Sequence, residues 1–243
     1  MACIAVLLLT ACHSHTYKIK GSTEGIDDGD TLFATIDFYD GTPFDTAVVK
    51  NGKFRFSGRT DSVRQCLIYC ADNETVNALL FLEPGEISLK LSIVPEKTRV
   101  GGTHINNAWQ QLTDSIAYFA EHVNILLAQY YNNDTSSEEK TQLLGKISKH
   151  SNRINDCICK VTEENINNEL GYYLILDGTM AEKDRMRLIG LMPKEMRDRQ
   201  EIKDLLDQLA TGGDVVDDLK FGAWDRDYDE EDLSDEPFDL DFE

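Results

Sequence analysis

The hydrophobic period of the chain changes once, near residue 103, and this change constrains the fold more than any other feature. Before it, apolar and polar residues alternate, the two-residue period of a strand with one buried face. In TYKIKGSTEG, Tyr17 and Ile19 alternate with Lys18 and Lys20. TAVVKNGKFRFSG carries the sharpest local signal, because Asn51-Gly52 suits a two-residue hairpin turn in which both positions take positive φ. Phe54 and Phe56 then share one face, and Lys53 and Arg55 the other. DTLFATIDFYD, RQCLIYCAD, VNALLFLEPGE and EISLKLSIVP continue the pattern, with turns at DGTPFD and at Pro84-Gly85. About seven short strands over residues 16–101 predict an antiparallel sandwich or a strongly curved sheet.

From Asn106 the period is helical. Trp109, Leu112, Ile116, Phe119, Val123 and Leu126 recur at three- and four-residue steps and form one apolar stripe. NNDTSSEEK is a loop whose Thr135 or Ser136 caps a second helix running from about 137 past 161, with Glu138 and Glu139 in its first turn. Further helices are expected near 164–176, over MAEKDRMRLIGLM and over PKEMRDRQEIKDLLDQLA, the last with Pro193 in its first turn. No internal repeat is present. The expected fold class is α+β: an antiparallel, sandwich-like β domain over 16–101, a helical region over 104–211 and an acidic tail over 212–243.

Charge separates that tail from the rest. The net charge is −20, and residues 212–243 hold fourteen of the 44 acidic residues but only Lys220 and Arg226 of the 24 basic ones. Dense like charge with scattered aromatics builds no core, so the tail reads as disordered. An acidic surface repels nucleic acid and anionic lipid, and neither is expected as a partner. A basic partner or divalent ions suit the tail.

The start of the chain is apolar or small from Ala2 to Ala11, too short for a bilayer span, which takes about 20 residues. It fits the apolar region of a secretory signal peptide, although Met1 alone stands where such signals carry Lys or Arg. LTAC (Leu9 to Cys12) resembles the bacterial lipobox, in which the cysteine is acylated and becomes the first residue of the mature protein. The resemblance implies a signal peptide over 1–11, lipidation at Cys12 and a tether over 12–15. More than one acyl chain on Cys12 gives stable anchoring. The expected location is the cell envelope, on the periplasmic face of the outer membrane.

Little chemistry is spelled out. Cys66 and Cys70 on one strand lie roughly 13 Å apart at about 3.3 Å per residue, too far for a disulfide. Cys157 and Cys159 point away from each other on a helix, which leaves a strand-to-helix link or free thiols. Cys12, His13 and His15 make a poor metal site once Cys12 is a thioether, and His104, His122 and His150 are scattered in sequence. Asp225, Asp227, Asp229 and Glu236 match positions of a calcium loop, but Glu230 stands where glycine is required. No nucleophile elbow or phosphate loop occurs, and neither a metal nor a cofactor is expected. Asp30-Thr31-Leu32, Asp45-Thr46-Ala47, Asp61-Ser62-Val63 and Asp114-Ser115-Ile116 resemble an acceptor motif for O-glycans on exported bacterial proteins.

YKIKGSTEGIDDGDTLF, DTAVVKNGKFRFSGRTD and LFLEPGEISLKL together resemble an uncharacterised N-terminal domain that precedes thioredoxin-like modules in envelope lipoproteins of Bacteroidota-type bacteria. GYYLILDG and LIGLMPKEMRDRQEIKDLLDQL resemble the segment that links the two modules. The chain holds no Cys-x-x-Cys, so the oxidoreductase activity of those relatives does not carry over. Two functions are compatible with these features. One is a non-enzymatic binding or scaffolding module with a protein partner in the periplasm. The other is an accessory recognition subunit in periplasmic thiol–disulfide chemistry, which requires a reactive thiol.

Overall fold

The computed structural model describes residues 15–36, 42–71 and 73–211. Eight strands come first: β1 (Thr16–Glu24), β2 (Thr31–Thr35), β3 (Asp45–Val48), β4 (Lys53–Arg59), β5 (Arg64–Cys70), β6 (Asn73–Leu82), β7 (Gly85–Ser92) and β8 (Arg99–Gly101). They form two four-stranded sheets, β4-β1-β7-β8 and β3-β2-β5-β6. The alternation read from the sequence sets the two faces. Ile19, Phe56, Ile87 and Leu91 of the first sheet pack on Leu32, Ile68, Leu80 and Cys66 of the second, all almost fully buried. Burying each large apolar side chain contributes about 1.5–3 kcal/mol.

Asn51 and Gly52 take the expected positive φ, 52° and 64°. The Asp28 carboxylate accepts from both of their peptide N–H groups, at 2.7 and 2.9 Å, and so ties the turn to the β1–β2 loop. One pairing departs from the antiparallel expectation: β1 and β7 run parallel. A parallel pair needs a long crossover, and the crossover here contains the whole second sheet. Two glycines make room for aromatic rings on the inner face. Gly21 lies opposite Phe54 and Gly58 opposite Tyr17 in the β1–β4 register, and a Cβ at Gly58 would meet the Tyr17 hydroxyl at 2.7 Å.

Six helices follow: α1 (His104–Tyr130), α2 (Ser137–Glu164), α3 (Glu169–Asp177), α4 (Glu182–Leu191), α5 (Lys194–Arg197) and α6 (Gln200–Thr211). Ser136 and Glu139 form the capping box of α2. α1 and α2 make a long antiparallel hairpin. Near the sheets it joins a second core with Leu170, Ile175, Leu188 and Ile202. Farther out only two helices pack together, and Tyr118, Ile125 and Tyr131 are exposed. The segment expected as one helix after Pro193 is two, α5 and α6, broken at Asp198-Arg199. The break turns Arg199 onto α3, where its guanidinium donates to both oxygens of Glu169, at 2.8 and 2.6 Å, and stacks on the Tyr172 ring. Among the described residues no helix is long and apolar enough to cross a membrane.

β6 belongs to both cores. Val76, Ala78, Leu80 and Leu82 face the sandwich, and Phe81 faces the helices. β6 is a sheet edge, and an open edge invites pairing with other chains. α1 closes it with side chains. Asn106 accepts from the Phe81 N–H and donates to the Phe81 carbonyl, both at 2.8 Å, and the Trp109 indole donates to the Leu79 carbonyl at 3.1 Å. Glu83, just past β6, accepts from the peptide N–H groups of Ile105 and Asn106 at the start of α1, a favourable place for a carboxylate.

Candidate functional site

The outer face of the sheet β4-β1-β7-β8 has an unusual charge for so acidic a chain. β1 presents Lys18 and Lys20, β4 presents Lys53 and Arg55, β7 presents Lys90 and β8 presents Arg99, all exposed. The register sets like charges side by side. Lys20 is opposite Arg55, and Lys90 is opposite Arg99. Such pairs cost stability, so the sheet holds this arrangement against its own electrostatics. A shallow cleft of about 390 Å³ runs across the face, lined by Lys20, Lys53, Lys90, Arg99, Ser22 and Ser88. The small residues at its centre keep the floor low between the flanking cations.

Acidic neighbours neutralise part of this charge. Lys20 pairs with Glu86 at 2.5 Å, and Lys90 pairs with Glu24 at 2.5 Å. The hydrogen bonds from Lys90 and Lys97 hold the Glu24 carboxyl down at about 2. Arg99 lies 3.8 Å from Asp114 of α1. Among the described residues, Lys18, Lys53 and Arg55 make no close ion pair, and Glu86, opposite Lys18 in the β1–β7 register, is held low by Lys20 first and by Lys18 and Arg55 as well. The face can hold an extended anionic chain by several weak, cooperative contacts.

This face was half legible in the sequence. The alternation put Lys18, Lys20, Lys53 and Arg55 on the polar sides of their strands, but only the sheet order brings those sides together with Lys90 and Arg99. Net charge concealed the result.

The other singled-out residues sort as follows. Cys12, His13, the signal-peptide segment and the calcium-loop resemblance at Asp225 to Glu236 lie outside the described residues. Cys66 and Cys70 are buried in the sandwich core, Cys159 in the helical core, and Cys157 is half-buried; all four are free. Burial pushes the Cys66 thiol up to about 12 and the Cys159 thiol up to about 11, and raises that of Cys157. Of the acceptor-like triplets, Thr46 and Ser62 are exposed, whereas Thr31 is half-buried and Ser115 lies within α1. His122 and His150, which sequence spacing left apart, stack across the α1–α2 hairpin at 5.2 Å between ring centroids. An antiparallel hairpin brings together residues equidistant from its loop, and no sequence-local spacing reveals that.

No curated protein matches the chain. Residues 17–109 match the model of a family described as a domain of unknown function (DUF4369). The matched stretch runs past Gly101 and takes in Asn106 and Trp109, so the opening of α1 that closes the β6 edge belongs with the sandwich. Over its strand region and the start of its first long helix, the chain is similar to that uncharacterised family.

Proposed function

We propose that this protein is a lipid-anchored component of a bacterial cell envelope that acts as a non-enzymatic binding module. Its binding surface is the basic outer face of β4-β1-β7-β8, and its ligand is an acidic peptide segment of a protein partner. The observation that supports this reading is the gathering of six cations on one sheet face, four of them lining its cleft, in a chain of net charge −20. Ionic contacts of this kind steer association and set specificity more than they add affinity. The resemblance of Leu9 to Cys12 to a lipobox supports the anchor. Among the described residues, burial raises the thiols of Cys66, Cys157 and Cys159, which weighs against the alternative role in thiol–disulfide chemistry.

Two measurements test the reading. An intact mass of the protein extracted from membranes of its native host should begin at Cys12 and include acyl chains; a soluble species retaining Met1 overturns the anchor. Fluorescence anisotropy with a labelled oligoglutamate peptide should show salt-dependent binding. A Lys53→Glu, Arg55→Glu double variant should weaken that binding about tenfold or more. Equal affinity in the variant overturns the face as the binding surface.

A further inference from the structure

A second cleft, of about 190 Å³, lies at the seam between the sandwich and the helices, the kind of place where small-molecule sites are common. Its floor is Gln65 of β5 and Phe81 of β6, direct partners in the β5–β6 register. Its wall is α3, which turns Glu169, Tyr172, Tyr173 and Leu176 to the cleft at the three- and four-residue steps of one helix face. Arg64 also lines it. We propose that this cleft binds a small monocarboxylate that carries one flat apolar group. The apolar group lies against Phe81 and the two tyrosines, and the carboxylate is met by Arg64 and Gln65. The site is on the other sheet from the basic face, and neither reading needs the other.

Charge decides the sign of the ligand. Glu169 is the acid of the cleft, and it is already engaged: Arg199 donates to both of its oxygens, at 2.8 and 2.6 Å, and lies 4.4 Å from the centre of the Tyr172 ring. The tyrosine hydroxyls are engaged as well, Tyr172 donating to Glu201 at 3.0 Å and Tyr173 to Asp177 at 3.2 Å. Arg64 is different. Its Nε donates to Ser62 Oγ at 3.2 Å, and among the described residues it enters no ion pair. Both terminal nitrogens of its planar fork are therefore free to take a carboxylate. Gln65 adds a second donor. Its Nε2 is closed off from water without an acceptor in good geometry, and burial outweighs the lowering influence that Gln65 has on the Tyr173 hydroxyl. A buried donor left in this state costs free energy until an acceptor arrives. Gln65 itself lines the cleft, so a turn of its amide meets a ligand oxygen.

Size sets the rest. A cavity of about 150 Å³ holds a benzene ring, so this cleft holds one ring and leaves the carboxylate at Arg64. The aromatic wall is fixed in advance. Phe81 and Tyr173 meet edge to face, with ring centroids 6.0 Å apart at 74°. Trp109 packs against both, at 6.0 and 5.8 Å. A preformed wall loses little freedom when a ligand enters. The floor comes from the sandwich and the wall from α3, so an occupied cleft ties the two together and stabilises the folded chain by mass action. The same chemistry is offered by a free acid and by the last residue of a polypeptide that ends in an aromatic side chain.

Fluorine NMR of para-fluorophenylacetate with the full chain tests the proposal. The probe resonance should broaden saturably, with a dissociation constant of about 1 mM or lower. Arg64→Gln changes an exposed side chain, so it should leave the unfolding temperature of the free protein unaltered. It should weaken probe binding about tenfold, the loss of one charge-assisted contact. The uncharged para-fluorophenylacetamide should bind the unaltered chain about tenfold more weakly than the acid, for the same reason. Leu176→Trp, which fills the cleft, should abolish binding. A short peptide ending in phenylalanine separates the two sources: displacement of the probe assigns the ligand to a polypeptide end, and failure to displace it assigns a free acid. No saturable broadening up to about 10 mM probe overturns the site. Equal binding by Arg64→Gln, or of the acetamide, overturns the carboxylate as the recognised group. Undiminished binding by Leu176→Trp puts the probe elsewhere and overturns the cleft.

Discussion

Asn106 of α1 satisfies both peptide groups of Phe81 on β6, accepting from its N–H and donating to its carbonyl at 2.8 Å each. The side chain takes the place of a neighbouring strand, and it does so fully buried. Asn106→Ala leaves two buried backbone groups without partners, each costing about 1–3 kcal/mol. The expected loss is about 3 kcal/mol in urea unfolding. Asn106→Asp should not rescue, because the new oxygen cannot donate to the Phe81 carbonyl and it faces the Glu83 carboxylate.

The pairing of small residues with aromatic rings on the inner face makes a second prediction. A methyl at Gly58 meets the Tyr17 hydroxyl, and overpacking of this kind costs about 1–3 kcal/mol. Gly58→Ala should lower the thermal unfolding midpoint. Combining it with Tyr17→Phe, which removes the closest atom, should cost less than the sum of the two single changes. Strict additivity would contradict the contact.

The basic face predicts that stability and binding move in opposite directions. Arg55 lies opposite Lys20 on the neighbouring strand, and like charges in that position destabilise a sheet. Arg55→Glu alone should therefore raise the unfolding temperature at low salt while weakening oligoglutamate binding. A lower unfolding temperature would mean that Arg55 supports the fold.

Thiol chemistry gives a fourth prediction. With Cys66 raised to about 12 and Cys159 to about 11 by burial, the thiolate is scarce at pH 8. Labelling of the folded chain by a disulfide reagent should be slow, with half-buried Cys157 modified first. Urea should release all four described cysteines at the rate of free thiols. Rapid labelling of any one in the folded chain would revive the thiol–disulfide role.

The His122–His150 stack predicts a response to acid. Burial, together with His122 and Lys149 nearby, lowers the pKa of His150, whose Nδ1 has no hydrogen-bond partner. A histidine with a lowered folded value favours folding least when protonated. Its cost is absent above the ordinary value of about 6.5. That cost grows as the pH falls below 6.5 and levels off once the pH is under the lowered folded value. The protection factors of amides in the α1–α2 hairpin, with the intrinsic pH dependence of exchange divided out, should therefore fall as the pH drops below about 6.5. His150→Gln should flatten that response, and an unchanged response would place its origin elsewhere.

Much of this protein follows from local rules that sequence alone obeys. The strand alternation, the Asn51-Gly52 turn, the Ser136–Glu139 cap and the apolar stripe of α1 each involve residues a few positions apart, so backbone geometry and side-chain period suffice to place them. Even β6 left a trace, since the unbroken run Ala78 to Leu82 abandons alternation where a strand is buried on both faces. What tertiary structure decided is everything set by contacts distant in sequence. The parallel return of β7 to β1, the capture of Phe81 by Asn106, the break at Arg199 and the meeting of His122 with His150 are of this kind. The basic face is the clearest case. Each strand contributes only one or two cations to it, and it exists because the sheet order β4-β1-β7-β8 adds them on one side, a sum that neither composition nor local pattern contains.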